Sequence, residues 1–230
     1  MKITWLGQAG LLFETDGKKI LVDPYLSDFV KTVEPANYRR VPVDERFLQL
    51  KPDVIVITHD HLDHLDKETL KYYLTDDTSA LVLAPNGSWQ SLRTTFGGKS
   101  NYVLFNEGTT WTEGNTVFRA VRAEHSDPNA IGLWLMAEGK QYYITGDTLY
   151  SERVFASLPS ETPDVLFLPI NGKGNNMNVT DAAAFGKRVG ARYTVPIHFG
   201  LFDEMNGEEL ACANRIVPRI YEEICLQSSD

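Results

Sequence analysis

The stretch Asp53-Val54-Ile55-Val56-Ile57-Thr58-His59-Asp60-His61-Leu62-Asp63-His64 carries a nearly continuous β-branched run straight into a hexad of three histidines and two aspartates. An apolar run of that length and composition predicts a strand buried on both faces. Beyond the hexad, Lys67 to Leu74 reads as a helix with Asp66 as its N-cap. Strand, polar loop and helix in that order describe an α/β unit. Ligand sites in such folds collect at the carboxyl ends of strands, where loops converge over a rigid sheet. His59 and His61, two apart on a chain just leaving a strand, can point to one side, while Asp63 and His64 lie further round the turn. One short loop can thus offer imidazoles to one metal ion and a carboxylate plus an imidazole to a neighbouring one.

Upstream, the chain reads as a β-meander: Lys2 to Leu6, a turn at Gly7 to Gly10, Leu11 to Thr15, Asp16-Gly17, and Lys19 to Val22. Residues Phe29 to Gln49 show no period and read as an irregular excursion that can line a site. Downstream, strands are expected at Ala80–Ala84, Tyr102–Phe105, Thr110–Trp111 and Val117–Ala123, with a helix at Ser88–Thr95. A hairpin, Ile131–Ala137 and Gln141–Thr145, turns at Glu138-Gly139. Val165–Leu168 and Tyr193–Ile197 are further strands, and Thr180–Val189 is an amphipathic helix capped by Thr180. No low-complexity linker or repeat divides the chain, so residues 1–230 are expected to form a single domain, a layered α/β sandwich.

Composition bounds the function. The 230 residues are 43% hydrophobic and 23% charged, proportions of an ordinary folded protein that exclude disordered, collagen-like and coiled-coil classes. The formal charge of -9 repels phosphate backbones, so neither nucleic acid nor an anionic membrane is an expected partner. No run approaches the ~20 apolar residues that span a bilayer. The start, Met1-Lys2-Ile3-Thr4-Trp5, lacks a signal-peptide core, and a cytoplasmic location is expected. Cys212 and Cys225 form no CxxC pair and read as reduced, helix-packing thiols.

All five histidines follow expected strands. Besides the hexad there are His125, after Val117–Ala123, and His198, in Val195-Pro196-Ile197-His198-Phe199-Gly200; Asp147 lies in Thr145-Gly146-Asp147-Thr148. Each alone reads as structural, but together with the hexad they form a ligand set. No GxSxG motif competes as a nucleophile site.

Thr58-His59-Asp60-His61-Leu62-Asp63-His64, the lone His125, the TGD of Asp147 and the PIH of His198 resemble the metallo-β-lactamase-fold hydrolase superfamily. Trp5 to Gly10, Leu21-Val22-Asp23-Pro24, Pro169-Ile170-Asn171-Gly172 and Pro196-Ile197-His198-Phe199-Gly200 resemble its L-ascorbate-6-phosphate lactonase-like branch. The resemblance implies a four-layer αβ/βα sandwich: two strand-rich halves face to face with helices outside. It also implies that His59, His61 and His125 hold one metal ion, that Asp63, His64 and His198 hold a second, and that Asp147 bridges them. Such ligands suit zinc, with manganese as the rival. The implied activity is hydrolysis of a small anionic lactone or ester, such as a sugar-acid phosphate lactone, by a metal-bridging hydroxide, with Asp63 or Asp147 as proton acceptor. A phosphodiesterase acting on a small or cyclic diester is the alternative. Di-iron oxidoreductases of this scaffold resemble HxExDH, and His61 departs from that. Self-association into a homo-oligomer is also implied.

Around this set, Asp23 and Asp60 are candidates to accept the remote ring N–H of a ligating imidazole. Gly146 is expected to let backbone approach the metal pair. Asn171, Lys173, Asn175 and Asn176 form a polar, glycine-rich loop suited to an anionic substrate; of these Asn171, Lys173 and Asn176 are the substrate-binding candidates. Lys31, Arg39 and Arg40 in the excursion read as a solvated face in preference to phosphate contacts.

Overall fold

A computed structural model describes residues 1–226. Period-2 alternation of apolar side chains explains the strands. In β2 (Gly10–Thr15), Leu11 and Phe13 face one way and Leu12 the other; in β4 (Val54–Val56), Val54 and Val56 oppose Ile55. All six are buried, so these strands have an apolar layer on each side. Together with β1 (Lys2–Gly7), β3 (Lys18–Val22), β5 (Leu81–Ala84) and β6 (Asn101–Leu104) they form a six-stranded sheet in sequential order, antiparallel from β1 to β3 and parallel from β3 to β6.

The second sheet runs from β7 (Thr110–Glu113) through β8 (Thr116–Arg122), β9 (Ile131–Ala137), β10 (Lys140–Ile144) and β11 (Val165–Pro169) to β12 (Tyr193–Ile197), antiparallel as far as β10 and parallel beyond. The sheets meet face to face: the Phe13 ring contacts Phe167 and Tyr142 edge-on, with centroids 6.0 and 5.8 Å apart. The outer face of the first sheet is covered by α2 (Lys67–Leu70) and α3 (Asn86–Thr95), through Leu70, Tyr73 and Leu92. The second is covered by α4 (Glu152–Ser157) and α5 (Val179–Val189), through Val154 and Phe185. This is the metallo-β-lactamase fold, an α/β sandwich of two mixed sheets.

Several local expectations are corrected. The helix after Asp66 ends at Leu70, not Leu74, because the chain tightens to bury Tyr73, whose hydroxyl donates to the Phe47 carbonyl at 2.7 Å. Asn178, not Thr180, caps α5: its Oδ1 accepts the amides of Thr180 and Asp181 at 2.9 and 3.0 Å. Helix α4 was not anticipated, since six residues are too few to show a period. Both cysteines are free and lie after β12: Cys212 packs against α5 beside Gly186, as expected of a helix-packing thiol, whereas Cys225 is exposed. The excursion contains α1 (Val30–Val33), a single turn. Arg39 anchors it, donating to the Tyr25 carbonyl at 2.7 Å and the Tyr221 hydroxyl at 2.6 Å. Arg40 pairs with Glu204 and Lys31 with Asp28. Among the described residues no helix is long and apolar enough to cross a membrane.

Candidate metal centre

Loops leaving the ends of both sheets bring all five histidines together. The hexad follows β4, His125 follows β8, Asp147 follows β10 and His198 follows β12. They converge as three sets, each with ligand atoms within 4.8 Å of one another: His59, His61 and His125; Asp63, His64 and His198; and His59, His64 and Asp147. Asp147 thus stands between the two sets that the resemblance implied.

The spacing within the sets fits metal ligation. His61 Nδ1 lies 3.2 Å from His125 Nε2. His198 Nε2 lies 3.3 Å from Asp63 Oδ2 and 3.2 Å from Asp147 Oδ2, and His64 Nε2 lies 3.4 Å from both Asp147 Oδ2 and His198 Nε2. Two ligands on a tetrahedral zinc ion, each bonded at about 2.0–2.1 Å, sit about 3.3 Å apart, whereas charge-assisted hydrogen bonds close to about 2.7–2.9 Å. His59 Nε2 and Asp147 Oδ1 are buried with no hydrogen-bond partner among the described residues. Buried polar atoms are rarely left unpaired, so the donor set fits divalent ions.

A network behind the ligands fixes their orientation. Asp23, fully buried, accepts the Thr58 amide at 2.8 Å, the Thr58 hydroxyl at 2.6 Å and His64 Nδ1–H at 2.8 Å. The Thr58 Oγ1 lies 3.0 Å from His59 Nδ1 and so accepts its proton. An ionised carboxylate can only accept, so this network protonates Nδ1 of both rings and turns Nε2 inward. His125 Nδ1 donates to the Asn175 carbonyl at 3.3 Å.

Electrostatics follow the same geometry. Burial alone lowers the His198 pKa, but Asp147 and Asp63 outweigh it and raise it to about 10. Burial likewise opposes the charged form of His64, and Asp147, Asp23 and Asp63 push its pKa well up. Burial favours protonated Asp63 and Asp147, yet His64 and His198 hold both below the usual carboxylate range. His59, buried and beside His64, is held neutral, with its pKa well down.

Two expectations need correcting. Asp60 does not reach a ring nitrogen; its amide donates to Asp127 at 3.2 Å, and burial and the Asp127 charge raise its pKa. Gly146, at φ +60°, is required for another reason: a Cβ there would lie 2.7 Å from the Ile131 carbonyl and 3.2 Å from Thr58 Cβ. The close approach that the structure shows is to β9 and the Thr58 strand end. The sequence also left unassigned Gln8 and Thr58, single polar residues with no spacing signal of their own, and it placed Asn175 in the polar loop with no sign that its carbonyl meets His125.

A cavity of about 420 Å³ opens onto His61, Asp63, Asp147 and His198. Asn171, Lys173 and Asn176 line it, and so do Val30, Glu34 and Asn37 from the excursion. Asn176 has a further attachment: its Nδ2 donates to Asp147 Oδ2 at 2.7 Å.

The sequence pattern of the family described as "Beta-lactamase superfamily domain" matches residues 2–198. The chain is 32% identical over 209 residues to a UPF0173 protein of Pyrococcus furiosus, covering 91% of this chain and 88% of that one. It is also 32% identical over 214 residues to a protein of Geobacillus thermodenitrificans named UPF0173 metal-dependent hydrolase, covering 88% and 87%. Among solved structures, Igni18, a metallo hydrolase from Ignicoccus hospitalis, superposes with a TM-score of 0.78 over 99% of both chains at 21% identity, a likeness of fold. By its matched pattern, its relatives and its two-sheet architecture, this chain belongs to the β-lactamase superfamily, alongside the UPF0173 proteins.

Proposed function

We propose that the protein is a metal-dependent hydrolase that holds two divalent ions and acts on a small anionic lactone or ester, a sugar-acid phosphate lactone being the model substrate. The carrying observation is the ligand-like spacing of 3.2–3.4 Å within the His/Asp sets, with His59 Nε2 and Asp147 Oδ1 unpartnered between them. His59, His61 and His125 would hold one ion and Asp63, His64 and His198 the other, with Asp147 shared; zinc suits these donors best and manganese is the rival. Bound there, the ions would supply Lewis acidity and an acidified water at neutral pH.

The protein's own groups do the rest. Lys173 is the one lysine or arginine lining the cavity among the described residues, and it meets the substrate's anionic group. Glu34, Asn37 and Asp203 line the cavity too. Their acceptor oxygens suit hydroxyl donors, which a polyhydroxylated sugar acid presents. Asp63 and Asp147, the carboxylates that face both the cavity and the histidines, are the candidates to take up the released proton, and Asp63 Oδ2 is held by Gln8 Nε2. In a lactone the leaving alkoxide stays attached to the acyl product, so no separate leaving-group site is required.

Elemental analysis of purified protein, followed by assays with added Zn²⁺ or Mn²⁺ on a phosphorylated lactone and on bis-p-nitrophenyl phosphate, tests this reading. Close to two ions per chain with lactone turnover is expected. Turnover of the diester alone replaces the lactonase reading with a phosphodiesterase, and failure to bind metal after reconstitution overturns the hydrolase reading altogether.

A further inference from the structure

Gln8 sits in the tight β1–β2 turn, 2% exposed and at φ +50°, a left-handed conformation that a non-glycine residue rarely adopts. Three hydrogen bonds hold it there. Its carbonyl accepts the Trp5 indole N–H at 3.0 Å and the His198 amide at 2.8 Å, and its Nε2 donates to Asp63 Oδ2 at 2.8 Å. The same Nε2 lies 3.2 and 3.3 Å from the two ring nitrogens of His198. Since the Asp63 carboxylate accepts and cannot donate, the amide orientation is fixed with nitrogen toward Asp63.

We infer that Gln8 is a positioning residue dedicated to the second ligand set. One residue fixes the backbone of His198 and the carboxylate of Asp63, which come from different sheets of the sandwich, and it has no hydrogen bond to His59, His61 or His125 among the described residues. His198 itself has a left-handed backbone, φ +59°, and the Gln8 carbonyl is the acceptor that its amide finds there. Gln8 thus tunes affinity at one ion site and leaves the other alone. Partners behind metal ligands typically change affinity by about 10–100-fold when removed.

This inference rests on the two-ion reading, and stepwise Zn²⁺ affinities separate the two. The metal-free wild type and Gln8→Met are titrated with Zn²⁺ against a chromophoric chelator. Methionine keeps the length of the side chain and the same backbone cost but removes the donor. The expected result is one of the two equivalents weakened about 10–100-fold with the other unchanged. A purely structural role weakens both equivalents alike and lowers the melting temperature of the metal-free protein; that result, or wild-type affinities at both steps, overturns the role of Gln8. A wild-type chain that takes up a single equivalent overturns the two-ion reading and the assignment of Gln8 with it. If Gln8→Met does not fold, Gln8→Asn, which tolerates the left-handed backbone and shortens the amide by one carbon, reads the same ratio.

Discussion

Asp23 Oδ2 accepts His64 Nδ1–H at 2.8 Å across 41 residues of sequence, both side chains fully buried. The same oxygen takes the Thr58 hydroxyl, which in turn faces His59. One carboxylate therefore sets the tautomer of both His64 and His59, one histidine from each of the two clusters. Asp23→Asn keeps the shape but puts an amide where only an acceptor serves. It should weaken zinc binding about 10–100-fold, and the buried mismatch should destabilise the metal-free chain by about 1–3 kcal/mol. Chelator competition and urea unfolding measure the two effects; unchanged zinc affinity would remove Asp23 from the network.

Asp147 is the residue that reaches both sets. Asp147→Ala should leave at most one ion per chain and abolish turnover, as read by elemental analysis and a hydrolase assay. Two ions with normal activity in this variant would sink the shared-ligand role.

Lys173 and Asn176 line the same cavity but are attached differently, so their variants should part. Lys173→Ala should raise KM for an anionic substrate and leave metal content unchanged. Asn176→Ala removes the donor to Asp147 Oδ2 and should lower kcat and zinc affinity, the latter by about tenfold. Equal KM effects with equal metal content would make Asn176 a substrate contact only.

The metal-free chain should lose stability as pH rises. The carboxylates raise the His198 pKa from the ordinary 6.5 to about 10, and His64 moves the same way. Between those values the folded chain keeps protons that the unfolded chain has released, so the stabilisation is complete below pH 6.5 and disappears as pH climbs toward 10. Melting temperatures of chelated wild type and His198→Gln across that range test this. The wild-type slope should be the steeper, and parallel slopes would contradict the assignment.

Gly146→Ala should destabilise by at least about 2 kcal/mol, since it forces a left-handed alanine and places Cβ 2.7 Å from the Ile131 carbonyl. Urea unfolding reads the loss directly.

The sequence by itself determined the strand pattern and the ligand types. The alternation in Leu11 to Phe13 and Val54 to Ile57 records burial on two faces, and the hexad concentrates metal chemistry in one loop; both signals are local, so both survive in one dimension. Tertiary structure decided what depends on distant groups. Asp23 meets His64, Gln8 meets Asp63 and His198, and Asn176 meets Asp147 only because loops from two sheets converge. The same convergence sent Asp60 to Asp127 and away from an imidazole, and gave Gly146 its necessity from the Ile131 carbonyl. A single polar residue carries no periodic mark of its partner. Which carboxylate or amide stands behind which imidazole follows from packing geometry, because hydrogen bonds are directional and reach about 3 Å, whereas sequence separation here spans most of the chain.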